Sequence, residues 1–205
     1  MRFIELRSLL KKFIVFSLSD IKAFDPKFHR RRLNEWQAKG YIKKVIREYY
    51  IFTDVDINDS TLFLIANSIY SPSYISLEVG LSYYNLIPES VYSITSVTSN
   101  KTATFSTDVG TFAYQSLKPE LLFGTKLLPY QNHTIMVGEL EKVILDYFYL
   151  NAHLDSKDMI EALRLNRDIL RADVNQEKLR QYLSVFNNRS LEDRIALLQD
   201  FISYA

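Results

Sequence analysis

Apolar positions recur at helical spacing from Phe3 to Phe13, where Phe3, Leu6, Leu9, Leu10 and Phe13 fall on one face. Ser17 with Asp20 three residues on is a capping-box signature. It opens a short second helix whose inner side is Ile21 and Phe24. Asp25-Pro26 is a further start signal, because aspartate accepts from orphan backbone amides and proline suits the first helical position. A third helix is expected from there to about Lys39, with Gly40 placed for a left-handed C-terminal cap. Two β-branched and aromatic runs, Tyr41–Ile46 and Tyr49–Thr53, flank Arg47-Glu48 and predict a hairpin. Helix, short helix, longer helix, hairpin is the order of a winged helix-turn-helix.

Asp54 to Ser60 is polar and acidic and reads as a linker. Helices are expected over Thr61–Tyr70 and Ser76–Asn85, separated by the breaker Ser71-Pro72-Ser73. Val91–Ser99, Ala103–Thr107, Thr111–Leu117 and Thr134–Val137 are rich in Thr, Val, Tyr and Phe and predict strands. Glu139–Leu150 has Leu140, Val143, Ile144, Tyr147 and Phe148 at helical spacing. Ser156–Leu165, Gln176–Phe186 and Leu191–Ile202 repeat the pattern, with Ser190 and Asp193 placed as a cap for the last. The fold class is therefore α+β. A winged helix-turn-helix over residues 1–54 precedes a second domain over 60–205. That domain comprises a mixed α/β core with a small sheet over 60–150 and a C-terminal helical bundle over 151–205.

Composition narrows the function classes. The 205 residues are 47% hydrophobic with five glycines, which suits a packed core rather than disorder. There is no cysteine, so a disulfide framework, a thiolate zinc site and a cysteine nucleophile are excluded. The charged start, Met1 to Arg7, does not resemble a signal peptide, and no apolar run approaches membrane-spanning length. A cytoplasmic protein with no membrane partner is expected. The net charge of +1 hides an asymmetry: residues 1–53 hold 13 Lys or Arg against 5 Asp or Glu, and residues 54–205 hold 12 against 19. The basic part has the sign that a phosphate backbone attracts.

The expected third helix carries Lys27, Arg30, Arg31, Arg32 and Asn34 largely off the face that Leu33 and Trp36 would bury. Arginine suits guanine O6 and N7, and asparagine suits adenine N6 and N7. Lys43, Lys44 and Arg47 on the hairpin are placed to hold phosphates of double-stranded DNA or to enter the minor groove. His29 is expected to pack or cap and Trp36 to sit in the core. The competing reading is a winged helix that binds another protein. No catalytic set can be assembled. His29, His133 and His153 are scattered, no phosphate loop or nucleophile elbow is present, and no metal or cofactor is expected. Glu139, Glu141, Lys142 and Asp146 share one expected helix, at spacings that suit exposed ion pairs.

The stretch from Tyr74 to Ser90, YISLEVGLSYYNLIPES, resembles the AbiEi family of antitoxins and transcriptional regulators of type IV toxin–antitoxin, or abortive infection, systems. The likeness continues through Ile94–Thr98, Gly110–Tyr114 and Glu141–Asp146, and Leu33–Ile42 resembles the family's winged-helix signature. It covers about residues 15–150. The resemblance implies an N-terminal domain that binds promoter repeats and represses its own operon, with Lys27, Arg30, Arg31, Arg32 and Asn34 facing DNA. It implies a larger C-terminal domain that counteracts a nucleotidyltransferase-like toxin without forming a stable complex with it. Recognition of inverted repeats would place two copies on the DNA. Family wings turn on a glycine, and Arg47-Glu48 stands in that place here, so the wing tip is expected to be either longer or strained.

Overall fold

The computed structural model of the chain describes residues 1–88 and 92–203. Its first part runs α1 (Phe3–Leu9), β1 (Val15–Ser17), α2 (Leu18–Phe24), α3 (Arg31–Ala38), β2 (Ile42–Ile46) and β3 (Tyr49–Phe52). The three strands form an antiparallel sheet in the order β1-β3-β2. β3 is central, and Tyr50, Ile51 and Phe52 are all buried. Tyr50 and Phe52 join Phe16, Ile42, Leu33 and Trp36 in a core with α1 to α3. Ile51 points the other way and joins Ile14 and Val45 in a second core. A strand covered on both faces has no reason to alternate apolar with polar, which explains the unbroken YYIF run.

That second core is shared with the elements beyond Asp59: α4 (Asp59–Ile69), β4 (Ser73–Ile75), α5 (Leu77–Tyr83), β5 (Ser93–Thr98), β6 (Ala103–Thr107), β7 (Gly110–Ser116), β8 (Thr125–Tyr130) and β9 (His133–Gly138). Six strands form one mixed sheet in the order β6-β7-β5-β4-β9-β8, with β5–β7 and β4–β9 parallel. Ile75, Ile94, Phe112, Tyr114, Ile135 and Val137 face α4 and the three-stranded sheet. Tyr74 and Val97 face the opposite side, where α5, α6 (Leu140–Leu150), α7 (Lys157–Ala162), α8 (Arg167–Asp173), α9 (Gln176–Phe186) and α10 (Arg189–Ser203) build the largest core. Among the described residues the chain is thus α+β, with ten α-helices and two sheets, and no helix is long and apolar enough to cross a membrane.

Several elements differ from expectation. α1 stops at Leu9 rather than Phe13. β1, β4 and β8 lie where the residue pattern predicts no strand. The first two are only three residues long, and β8 is an edge strand, the position that tolerates its Pro129. The helix α8 is likewise additional. It is seven residues long and capped by Asn166, whose side chain accepts from two backbone amides. The expected Ser190–Asp193 cap is replaced by Asn188, whose side-chain oxygen accepts from Leu191 N at 2.9 Å, while Ser190 accepts from Arg194. Val91, the expected start of the first strand of the larger sheet, lies outside the described residues.

The basic first part is also tied to the remainder by polar contacts. Arg7 pairs with Asp54 at 2.5 Å, and His133 Nε2 lies 2.7 Å from the Lys12 carbonyl oxygen. Because Ile51 serves a core that also holds α4, Ile51→Ala is expected to cost about 2–4 kcal/mol. Trp36 is the sole tryptophan and sits in the first core. Its fluorescence and far-UV circular dichroism should therefore lose their signals in one coincident thermal transition, in wild type and variant alike. Two separated transitions would show that the shared core does not couple the parts.

Candidate nucleic-acid interface

α2 begins with a reciprocal capping box. Asp20 N donates to Ser17 Oγ at 3.1 Å, and Ser17 N donates to the Asp20 carboxylate at 2.6 Å. The segment between α2 and α3 departs from expectation. Asp25 does not cap a helix at Pro26. Its carboxylate is taken by the Met1 ammonium at 3.3 Å, and its carbonyl oxygen accepts from Phe28 N at 2.9 Å. This closes a turn that buries Phe28 against Trp36, with ring centroids 5.5 Å apart. The helix starts only at Arg31, so Lys27 lies in the turn and Arg30 at the N-cap. Leu33 and Trp36 are buried as expected, and Gly40 has φ +69, the left-handed conformation of a helix stop.

The exposed side of this unit is cationic. Lys27, Arg30, Arg31 and Asn34 are exposed, and none of their side chains has a hydrogen bond or ion pair among the described residues. Arg32 is the exception in the expected set, because its guanidinium donates to the Met1 carbonyl oxygen. No acidic residue occupies the first turn of α3, so three consecutive arginines stand at the positive end of a helix dipole.

On the hairpin, a one-residue bulge at Val45 breaks the strict alternation. Ile42 and Val45 turn inward while Lys43 and Lys44, adjacent in sequence, are both exposed. The turn Arg47-Glu48 has only two residues, and the strain falls on Glu48, whose φ is +71. The Glu48 carbonyl oxygen accepts from Leu18 N at 3.0 Å, which fastens the tip to the start of α2 and leaves Arg47 exposed. Of the other cations of the basic part, Arg2 pairs with Glu5 at 2.9 Å and Arg7 with Asp54, while Lys11, Lys12, Lys22 and Lys39 are exposed without an ion pair among the described residues.

The carboxylates of α6 are not the exposed pairs that their spacing suggested. Lys142 and Asp146 are completely buried and paired with each other. Asp146 also accepts from Tyr74 Oη at 2.8 Å and Ser76 Oγ at 2.9 Å, and Lys142 Nζ donates to Tyr74 Oη at 2.7 Å. The rings of Phe123 and Phe186 lie 5.1 and 5.0 Å from Nζ. Burial pushes the Asp146 carboxyl up and the Lys142 ammonium down, and the attraction of each for the other opposes both shifts. Glu139 does not pair with Lys142. It accepts from Tyr182 Oη and pairs with Lys178 at 3.3 Å. Burial, then Glu139, pushes the Tyr182 phenol up to about 12. Glu141 is buried and accepts from Asn175 N at 2.8 Å. Glu139 and Glu141 thereby hold α9 to α6. The signal that distinguishes Lys142 and Asp146 in the sequence is the Val143-Ile144-Leu145 run between the two charges, which marks a helix covered all round. No group of three or more metal-ligating side chains occurs among the described residues.

Removing one partner strands the other charge in the core. Asp146→Asn and Lys142→Met should each destabilise by about 3–5 kcal/mol, whereas the double change Lys142→Met with Asp146→Asn should cost markedly less than the sum. Urea denaturation of the four proteins measures this, and additive losses would refute the pairing. No protein-family model matches this chain, and the search of curated proteins returned no match.

Proposed function

We propose that this chain is a DNA-binding transcriptional autorepressor and the antitoxin of a type IV system, acting in the cytoplasm against a nucleotidyltransferase-like toxin. The observation that carries the DNA-binding half is the group of exposed, unpartnered side chains Lys27, Arg30, Arg31, Asn34, Lys43, Lys44 and Arg47. Adjacent like charges without counter-ions repel one another, and a phosphate backbone relieves that repulsion while releasing its own condensed ions. The reading of residues 1–54 as a winged helix-turn-helix rests on the element order, with α3 as recognition helix and β2–β3 as wing. In it, Arg31 and Asn34 lie three apart on the exposed side of α3 and read base edges, a role suited to their planar donor and acceptor pairs. Lys27, Arg30, Lys43, Lys44 and Arg47 hold phosphates and set register. Arg32 acts through Met1, fixing the chain start beside the recognition helix. Inverted repeats would take one copy per half-site.

The antitoxin half rests on the resemblance to the AbiEi family. Its segments are distant in sequence yet adjacent in the fold. Tyr74 and Ser76 from one block hydrogen-bond to Asp146 from another. Glu89 and Ser90, which end the first block, lie outside the described residues.

A protein-binding role for the N-terminal unit is the second reading. It is favoured by an apolar groove of about 620 Å³ along α1 and α2, where Ile4, Leu9 and Phe24 are 80%, 45% and 49% exposed.

A gel shift with the upstream promoter separates the two readings. Wild type should bind specifically, and affinity should fall steeply with salt. Arg31→Ala should weaken specific binding by about 1–3 kcal/mol. Lys43→Ala with Lys44→Ala should weaken all sequences alike and reduce the log–log salt slope by roughly two. Absence of specific binding at moderate salt, or indifference to all three changes, would leave the protein-binding role. Co-expression with the neighbouring gene tests the antitoxin half: residues 1–205 should relieve its growth arrest, and failure to do so would remove that half.

A further inference from the structure

The face of the six-stranded sheet opposite α4 carries a cleft of about 720 Å³, within the range of small-molecule sites. It opens among α5, β5, β7 and the ends of α6 and α7. Leu77, Ile87, Leu150 and Leu163 give it an apolar lining, and Tyr92 contributes a ring. Among the described lining residues a single one is formally charged, Glu78. Its carboxylate is half-buried and has no hydrogen bond or ion pair among the described residues. A half-buried carboxylate with no hydrogen bond or ion pair keeps its acceptor positions free for a ligand in the cleft.

Two further features set the sign of the site. The C-terminal ends of α6, at Leu150 and Asn151, and of α7, at Ala162 and Leu163, both line the cleft. Helix C-termini carry partial negative charge and favour cations, and at α6 the Phe148 carbonyl oxygen already accepts from Arg194 Nε. The wall bearing Glu78 is also pre-set. Leu77 has φ +58, and this conformation is held by Thr95, whose Oγ1 donates to the Ser76 carbonyl oxygen at 2.8 Å and accepts from Val79 N at 3.0 Å. Glu78 therefore projects from a rigid corner rather than a loose loop.

We propose that this cleft binds a small organic ammonium with an apolar or aromatic body, Glu78 being its counter-charge. The ammonium sits at the Glu78 carboxylate within reach of the helix C-termini, and the body lies on Leu77, Ile87 and Leu163. Among the described lining residues an anion meets only the like charge of Glu78, and a neutral analogue forfeits the charge-assisted hydrogen bond. The site is independent of the DNA-binding reading.

The experiment is a titration of the ¹⁵N-labelled full chain, followed by amide chemical shifts, with phenethylamine, 2-phenylethanol and phenylacetate in parallel at neutral pH. Phenethylamine should give saturable shifts centred on Leu77, Thr95, Gln115 and Asn151. The alcohol should bind about tenfold more weakly, and so should phenethylamine to Glu78→Gln, the loss expected for one charge-assisted hydrogen bond. The variant's melting temperature should stay within a degree or two of wild type, because Glu78 has no intramolecular partner to lose. Four results would each overturn the proposal: no shifts with phenethylamine, shifts centred elsewhere, equal affinity for the three probes, or an unchanged affinity in Glu78→Gln.

Discussion

The Lys142 ammonium and the Asp146 carboxylate lie at the centre of the largest core with no exposure to water. Two charges can be held there only if every remaining hydrogen-bonding site is filled, and the filling groups come from elsewhere in the chain. Tyr74 ends up between Lys142 and Asp146, and Ser76 completes the carboxylate shell. Phe123 and Phe186 close over the ammonium. β4, the start of α5, α6, the loop before β8 and α9 are therefore bound to one point. Such a network specifies an arrangement more than it adds net stability, since an apolar core of equal volume would avoid the desolvation cost.

The backbone around that point is correspondingly tight. A Cβ at Gly80 would lie 2.8 Å from Val143, so only glycine lets α5 approach α6 this closely. Gly124 has φ +63 and sits where a Cβ would meet the Tyr182 ring at 2.8 Å, beside Lys142. The glycines serve the packing of α6 as much as any turn. The same helix then extends its influence outward through Glu139 and Glu141, which fasten α9 by Lys178, Tyr182 and the Asn175 amide.

The three-stranded sheet meets this body through its second face. Ile14, Val45 and Ile51 share a core with α4 and the larger sheet, so the cationic surface stands on a scaffold built from both parts of the chain. The bulge at Val45 does two things at once. It turns Val45 into that core and leaves Lys43 and Lys44 together at the surface. The two parts of the chain also meet through polar contacts, the Arg7 guanidinium with Asp54 and the Lys12 carbonyl oxygen with His133.

Much of this was legible in the sequence because it depends on neighbours along the chain. The Ser17–Asp20 box, the Gly40 stop, the two-residue hairpin turn and the long helix α9 each follow from local hydrogen bonds and apolar period. The exposed cations were legible for the same reason, since Leu33 and Trp36 orient α3 and leave the charged positions outside. What required the tertiary structure were decisions made by distant partners. Asp25 closes a turn with Phe28 N instead of capping a helix, and α3 starts only at Arg31. The short strands β1 and β4 exist because β3 and β5 supply their hydrogen bonds. Lys142 and Asp146 have the spacing of a surface pair, and only the arrival of Tyr74, Ser76, Phe123 and Phe186 made them a buried one. Residues 1–205 thus determine period and charge by themselves, whereas burial of a charge is a property of everything packed around it.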